Sequence, residues 1–222
     1  MSPPDRLVVA EISKSLGESG VGCRIIVLES TGSTNEFLRR MLSLELPEGF
    51  VVFAEHQSAG RGQHGNRWAS ASRLGLWFSV LLRPNIPLAA SACLTNWAAQ
   101  AISATIRSET GLAATIKPPN DVFVGSRKVA GVLVETKAGS GLAFDAIIGI
   151  GINVNQTADD FPVELRTRAG SLAMDLGRQV SRTDFAIALL LELERTREFG
   201  VNLSRQLSPA IPDRSVGKSP KV

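Results

Sequence analysis

A glycine-rich segment, residues 55–68, carries the residue types best suited to holding an anionic ligand. Its closely spaced glycines let the backbone approach a ligand and let N–H groups form a concave anion-binding surface. Arg61 and Arg67 add guanidinium donors that suit a phosphate or a carboxylate. Trp68 adds a flat face on which a ring can stack. The same composition also fits a solvated connection between two strands, so this segment alone leaves both interpretations open.

Two common nucleotide-binding loops are excluded by the spacing of these glycines. A Walker loop requires Gly-Lys-Ser/Thr after the glycines, and that tripeptide is missing here. A dinucleotide-binding fingerprint requires a different glycine spacing and a helix after it, whereas a strand is predicted to follow residue 75. Any phosphate site in this segment must therefore be of another kind.

Three further segments combine polar residues with the ends of apolar strands. Residues 117–121 read Lys-Pro-Pro-Asn-Asp at the junction of two predicted strands, and Asp121 offers a carboxylate able to bind a metal. Lys128 lies at the start of an otherwise apolar strand, and the glycine-containing strand at residues 148–155 ends near Asn153. Each segment also has an ordinary structural interpretation, as a solvated charge, a turn or a close packing of strands.

Hydrophobic periodicity predicts an α+β domain, with a mixed or antiparallel sheet packed against several helices. A short helix is predicted at residues 6–16, a long one at 94–111, and two more begin at the capping boxes of Ser33 and Ser181. The last four strands follow one another closely, which is typical of an antiparallel meander. The predicted strands are residues 24–28, 50–54, 76–82, 113–117, 121–124, 129–136 and 142–152.

Composition narrows the class of protein further. The chain has 222 residues, of which 44% are hydrophobic and 20% charged, as in ordinary globular proteins. Two cysteines and two histidines are too few for a disulfide framework or a metal cluster. The net charge of +3 is mild and the basic residues are dispersed, which argues against nucleic-acid binding. No signal peptide or apolar span is visible, so we expect a cytoplasmic protein that does not contact a membrane.

Taken in this order, the segments resemble the biotin protein ligase family (biotin–[acetyl-CoA-carboxylase] ligases). The resemblance covers residues 24–199 and implies a biotin/lipoate ligase-like catalytic domain. In the implied reaction, biotin and ATP form biotinyl-5′-adenylate, and biotin then passes to a lysine of a biotin carboxyl carrier protein domain. ATP and Mg²⁺ are the implied cofactors, and the fold permits a homodimer. The residues that carry the resemblance are 33–35, 54–68, 117–121, 127–135, 149–153 and 169–172.

The resemblance implies a role for individual residues. Lys128 and Arg61 are the implied catalytic residues, and Asp121 is the implied Mg²⁺ ligand. The implied biotin-binding residues are Ser33, Thr34, Asn35, Gln57, Gly60, Arg61, Gly62, Lys128 and Gly131. The implied nucleotide-binding residues are Arg67, Trp68, Lys117, Asn120, Asp121 and Asn153.

The sequence also departs from the family pattern. Gln63, His64 and Asn66 stand where the family loop carries arginine, and Pro118 stands where it carries tryptophan. We predict an N-terminal helical extension at residues 1–23, too short for a winged-helix domain, a catalytic domain at 24–199 and a polar tail at 200–222 in place of the usual β-barrel. These departures keep two alternatives open: a lipoate or octanoate ligase or transferase, and a catalytically weakened biotin-binding descendant.

Overall fold

A seven-stranded mixed sheet lies at the centre of the computed structural model, which describes residues 6–18, 20–138 and 144–207. The strand order is β1-β2-β3-β7-β6-β5-β4; β1 and β2 are parallel and all the other neighbours are antiparallel. The strands are β1 Ile25–Leu28, β2 Val51–Ala54, β3 Gly75–Leu82, β4 Ala114–Lys117, β5 Asp121–Val124, β6 Arg127–Ala138 and β7 Phe144–Asn153.

In the part of the chain that the structure describes, five α-helices accompany the sheet, and three of them determine where a ligand can bind. α3 and α5 pack on one sheet face, in the large apolar core, whereas α2 packs near one end of the opposite face. The period-2 alternation of the strands separates these two faces: Phe78 and Ile150 belong to the large core, while Leu81 and Ile147 belong to the small cluster under α2. The helices are α1 Val9–Ser15, α2 Thr34–Met41, α3 Ala92–Thr110, α4 Leu172–Leu176 and α5 Arg182–Leu207.

The predicted α+β architecture is confirmed, including the antiparallel meander of the last four strands. The capping box at Ser33 is wrong, because Ser33 makes no side-chain cap hydrogen bond. The first N–H of α2, that of Thr34, donates to the Gln57 side chain at 2.8 Å. At Ser181 the hydroxyl does accept the Asp184 N–H, at 3.2 Å. α5 continues past residue 199 to Leu207, into the predicted tail, since no proline interrupts the chain before Pro209.

Residues 208–222 of the predicted tail, residues 139–143, and residues 1–5 and 19 of the predicted extension lie outside the described residues. Cys23 and Cys93 are free thiols. Within the described ranges, no helix is both long enough and apolar enough to cross a membrane.

Candidate active site

Three glycines form a flat surface, which we call the floor, on the sheet face opposite α3 and α5. Gly131 on β6 pairs directly with Gly151 on β7, and Gly149 lies two residues before it. A Cβ atom on Gly149 would lie 2.4 Å from the Asn35 side chain, and one on Gly151 would lie 2.6 Å from the Trp68 ring. The absence of side chains at these positions therefore allows α2 and the glycine-rich loop to approach the sheet closely.

A polar network covers this floor where α2 begins. The Thr34 N–H donates to Gln57 Oε1 at 2.8 Å, and Gln57 Nε2 donates to Ser70 Oγ at 3.1 Å, which fixes the orientation of the Gln57 amide. The buried Ser79 hydroxyl lies 2.7 Å from Thr34 Oγ1 and 2.6 Å from Asn35 Oδ1. These neutral donors and acceptors suit an uncharged ligand head group with amide character.

The glycine-rich loop forms a short hairpin over the floor. The Gly62 N–H donates to Asn66 O at 2.7 Å, and the Trp68 N–H donates to Gly60 O at 2.9 Å. Arg61 turns toward the sheet, where its guanidinium pairs with the Glu135 carboxylate. The Arg67 guanidinium instead donates to Ser58 O within the loop, at 3.2 Å. The hairpin thus presents one arginine to the sheet and one to its own backbone.

Lys128, Asp121 and Trp68 meet beside the glycines. Lys128 Nζ lies 2.6 Å from Asp121 Oδ1 and 5.2 Å from the centre of the Trp68 ring. The Trp68 ring also packs edge-on against Trp77, with the ring centres 6.2 Å apart. An ammonium ion with a carboxylate on one side and an indole face on the other can move toward an incoming anion without leaving the cavity.

Two cavities share this group of residues. The first has a volume of about 240 Å³ and the second about 600 Å³. Both are lined by Asn66, Arg67, Trp68, Asp121 and Lys128. The site is therefore a pair of adjoining chambers with Lys128 between them.

The structure brings most of the residues implied for biotin binding into the first cavity. Those that line it are Ser33, Thr34, Asn35, Gln57, Arg61, Gly62, Lys128 and Gly131. Gly60 lines neither cavity and packs under the backbone of Trp68, whose carbonyl oxygen would lie 2.6 Å from a Cβ atom there. Its role in this structure is to permit that close approach.

The residues implied for nucleotide binding divide between the two cavities. Asn120 lines the first cavity, Lys117 and Asn153 line the second, and Arg67, Trp68 and Asp121 line both. Asn153 is buried, and its amide donates to Gly170 O at 2.9 Å and accepts from Gln156 Nε2 at 3.2 Å. These two bonds fix the orientation of the Asn153 amide and leave it one further N–H donor and one further lone pair.

Several residues of the site were not assigned from the sequence. Ser79 is a single hydroxyl in an otherwise apolar strand, and that contrast could have marked it. Glu135 falls on the same face of β6 as Gly131, four residues away, so strand alternation could have placed it. Arg39, which donates to Glu135 Oε1 at 2.7 Å, comes from a distant helix and left no signal in the sequence.

The acidic donors at the site are few. Among the described residues, Asp121 is the one carboxylate that lines either cavity, and no group of three His, Cys, Asp or Glu side chains could hold a metal ion. This donor set fits a Mg²⁺ ion that takes most of its oxygen ligands from phosphates and water, because Mg²⁺ often binds proteins through one or two carboxylates.

Comparison with known proteins gives consistent matches. The chain is 37% identical over 192 residues to the bifunctional ligase/repressor BirA of Bacillus spizizenii, covering 86% of this chain and 59% of that protein. It is 35% identical over 209 residues to the biotin–[acetyl-CoA-carboxylase] ligase of Mycobacterium tuberculosis, covering 87% of this chain and 73% of that protein. This chain therefore spans less than two thirds of the length of the BirA relative.

A solved structure gives the same match. The biotin protein ligase of Aquifex aeolicus in complex with biotin and ATP superposes with a TM-score of 0.67 at 29% identity, covering 83% of this chain and 73% of that one. The sequence model of the biotin/lipoate A/B protein ligases matches residues 27–153, which contain the glycine-rich loop and the whole lining of the first cavity. The resemblance drawn from the motifs is confirmed, and the chain belongs to the biotin/lipoate A/B protein ligase family.

Proposed function

We propose that this protein activates biotin with ATP to biotinyl-5′-adenylate and then transfers biotin to a lysine of a biotin carboxyl carrier protein domain. The observation that carries the proposal is the pair of chambers that meet at Lys128. One has a neutral polar floor that suits the uncharged ureido ring of biotin, and the other contains Lys117 and Arg168, which suit phosphates. The names of the Mycobacterium and Aquifex proteins support the same substrates.

The first step joins two anions, and Lys128 is placed to reduce their repulsion. A carboxylate oxygen of biotin attacks the α-phosphorus of ATP, and pyrophosphate leaves with the electron pair of the broken P–O bond. The Lys128 ammonium, between the chambers, would contact the carboxylate and the α-phosphate together and stabilise the charge that develops there. Mg²⁺ bound with the nucleotide supplies further neutralisation, and Asp121 is the residue that would hold it.

The second step needs little from the protein besides orientation. The neutral ε-amine of the carrier lysine attacks the carbonyl carbon of the mixed anhydride, and AMP leaves. The amine loses its extra proton to water or to the departing phosphate, so no strong general base is required. The polar floor under Thr34 and Gln57 would keep the biotin ring fixed while the amine approaches.

The experiment that tests the proposal is a mass-spectrometric assay of the purified chain with biotin and Mg·ATP, with and without a carrier domain. We expect biotin-dependent release of pyrophosphate and a carrier mass increased by one biotinyl group. Pyrophosphate release without carrier modification would contradict the transfer half of the proposal. Absence of both products would overturn it, and modification by lipoate but not by biotin would favour the lipoate ligase alternative.

A further inference from the structure

One carboxylate, that of Glu135, joins the glycine-rich loop to the polar floor of the first cavity. It pairs with the Arg61 guanidinium from the loop and accepts from Asn35 Nδ2 at 2.9 Å. Asn35 Oδ1 in turn lies 2.6 Å from the Ser79 hydroxyl. A continuous chain of polar contacts therefore runs from Arg61 into the floor.

The same chain of contacts returns to the loop at Gln57, four residues before Arg61. From Ser79 it passes to Thr34 at 2.7 Å and then to Gln57, whose Oε1 accepts the Thr34 N–H at 2.8 Å. The loop is therefore bound to this network at two points, through Gln57 to Thr34 and through Arg61 to Glu135. Removing Glu135 would leave the Gln57 end attached and release the Arg61 end.

Two other side chains attach the loop on either side of its turn: Gln57 bonds to Thr34 and Ser70, and the Trp68 ring packs against Trp77. Arg67 bonds to Ser58 inside the loop, and the hairpin bonds of Gly62 and Trp68 are also internal. Among residues 61–66, all of which the structure describes, Arg61 is the one whose side chain bonds to the sheet, through its ion pair with Glu135. Glu135 itself lines neither cavity.

The charge balance distinguishes this cluster from an ordinary surface ion pair. Glu135 is shared by two guanidiniums, because Arg39 from α2 donates to its Oε1 at 2.7 Å. The Glu135 side chain is only 19% exposed, although the Arg61 side chain is 40% exposed. Three donors from the loop and α2 converge on one carboxylate, which is a more specific arrangement than a single solvated pair.

We propose that Glu135 is a positioning residue, which acts through Arg61 to hold the glycine-rich loop over the first cavity. It does not touch the substrate. Its effect on the loop can be measured without any ligand, whereas its effect on biotin binding rests on the proposed function. The excess positive charge of Arg39 and Arg61 over Glu135 leaves Arg61 able to contact an anionic substrate while it remains attached to the sheet.

The test is amide hydrogen exchange of the unliganded full chain in a double-mutant cycle of Glu135→Gln and Arg61→Ala. We expect each single variant to speed exchange at Gly62 and Trp68 by about three- to tenfold, because a partly exposed charged bond holds the hairpin. The double variant should show no further increase, since both changes break one interaction. Urea unfolding midpoints of all variants would establish that they remain folded.

The matched control is Glu36→Gln, which removes the exposed α2 pair between Glu36 and Arg40 at 3.1 Å and should leave loop exchange at the wild-type rate. Any of three results would overturn the proposal. The first is unchanged amide exchange of the loop in Glu135→Gln. The second is a double variant whose acceleration is the product of the two single accelerations, and the third is equal acceleration throughout β6 and α2. In a parallel titration, Glu135→Gln should weaken biotin binding, and Arg61→Ala should weaken it at least as much, because Arg61 itself lines the first cavity. The double variant should bind biotin no more weakly than Arg61→Ala alone. If the wild type binds no biotin, the proposed function fails, and the exchange data still decide the role of Glu135.

Discussion

Lys128 has three different neighbours at the point where the two cavities meet. Asp121 pairs with it at 2.6 Å, the Trp68 ring faces it, and Gly131 leaves space beside its side chain, since a Cβ atom there would lie 3.3 Å from Lys128 Nζ. A compact ammonium on a flexible stem can exchange its carboxylate partner for a substrate anion. The ammonium of Lys128 should therefore stabilise the transition state of adenylate formation more than it stabilises the resting protein.

Replacing Lys128 by methionine tests this role, because methionine keeps much of the volume and removes the charge. We expect biotin-dependent pyrophosphate release to fall by about 10²- to 10³-fold, the usual loss for one stabilising donor. Biotin binding without ATP should weaken less. The control is Lys137→Met, on the exposed end of the same strand. A Lys128→Met variant that keeps a tenth of the wild-type rate would contradict the assignment.

The loop departures predict weak retention of the adenylate. Gln63 and Asn66 line the first cavity at positions where the family pattern has arginine. The double variant Gln63→Arg/Asn66→Arg should slow release of biotinyl-adenylate by at least about tenfold, because one charge-assisted hydrogen bond contributes about 1.5–3 kcal/mol. Release is measured by dilution of the preformed complex. His64→Arg adds one positive charge at a position to which the resemblance gives no phosphate contact, and it should slow release less than either Gln63→Arg or Asn66→Arg alone. Equal release rates in the wild type and the double variant would contradict the prediction.

Among the secondary-structure elements, the contact between α2 and β7 determines the shape of the floor. Gly149 lies directly under Asn35, and the Asn35 side chain is tied to Ser79 and Glu135. A methyl group at residue 149 would therefore meet a side chain that cannot move without breaking the network. The helix is held in place by polar bonds as well as by its apolar face.

Gly149→Ala should destabilise the protein by about 1–3 kcal/mol, the usual cost of overpacking a close contact. Biotin binding should weaken with it, because Asn35 and Thr34 move together. Urea unfolding and a biotin titration measure the two effects. Gly32→Ala is the matched control, since the φ angle of Gly32 lies outside the left-handed region and no atom lies within 4 Å of its Cβ position. Equal stability of the two variants would show that Asn35 yields easily.

The elements themselves were largely predictable, whereas their polar connections were not. Apolar runs bounded by polar and turn residues located all seven strands, because burial of a strand leaves a local pattern in the sequence. The predicted cap hydrogen bond of Ser33 does not form. The bond from the first N–H of α2 to Gln57 could not be predicted, because Gln57 is distant in the sequence. The pairs of Glu135 with Arg39 and Arg61 likewise depend on packing between elements, which local patterns do not record.

For the molecule as a whole, one buried ion pair connects parts of the chain that are far apart. Arg182, at the start of α5, donates to Glu55 Oε2 at 2.7 Å, and both side chains are almost completely buried. Glu55 begins the glycine-rich segment and also accepts the Leu7 N–H at 2.9 Å, while Arg182 donates to Gly75 O at 3.0 Å. The base of the loop, the N-terminal segment and α5 are thus attached at one point.

Because this pair is buried, losing one partner should be much more costly than losing both. Arg182→Met should lower the free energy of unfolding by about 3–5 kcal/mol, since it leaves the Glu55 charge without its cation in a dry environment. The double variant Arg182→Met/Glu55→Gln should recover at least about 1 kcal/mol of that loss, as expected for two groups in direct contact. Both values come from urea unfolding followed by circular dichroism.

The control is Arg195→Met, which breaks an exposed pair with Glu192 on the same helix and should leave the unfolding midpoint nearly unchanged. If Arg182→Met proved as mild as Arg195→Met, or if the losses in the double variant simply added, the buried pair would not be what attaches the loop to α5.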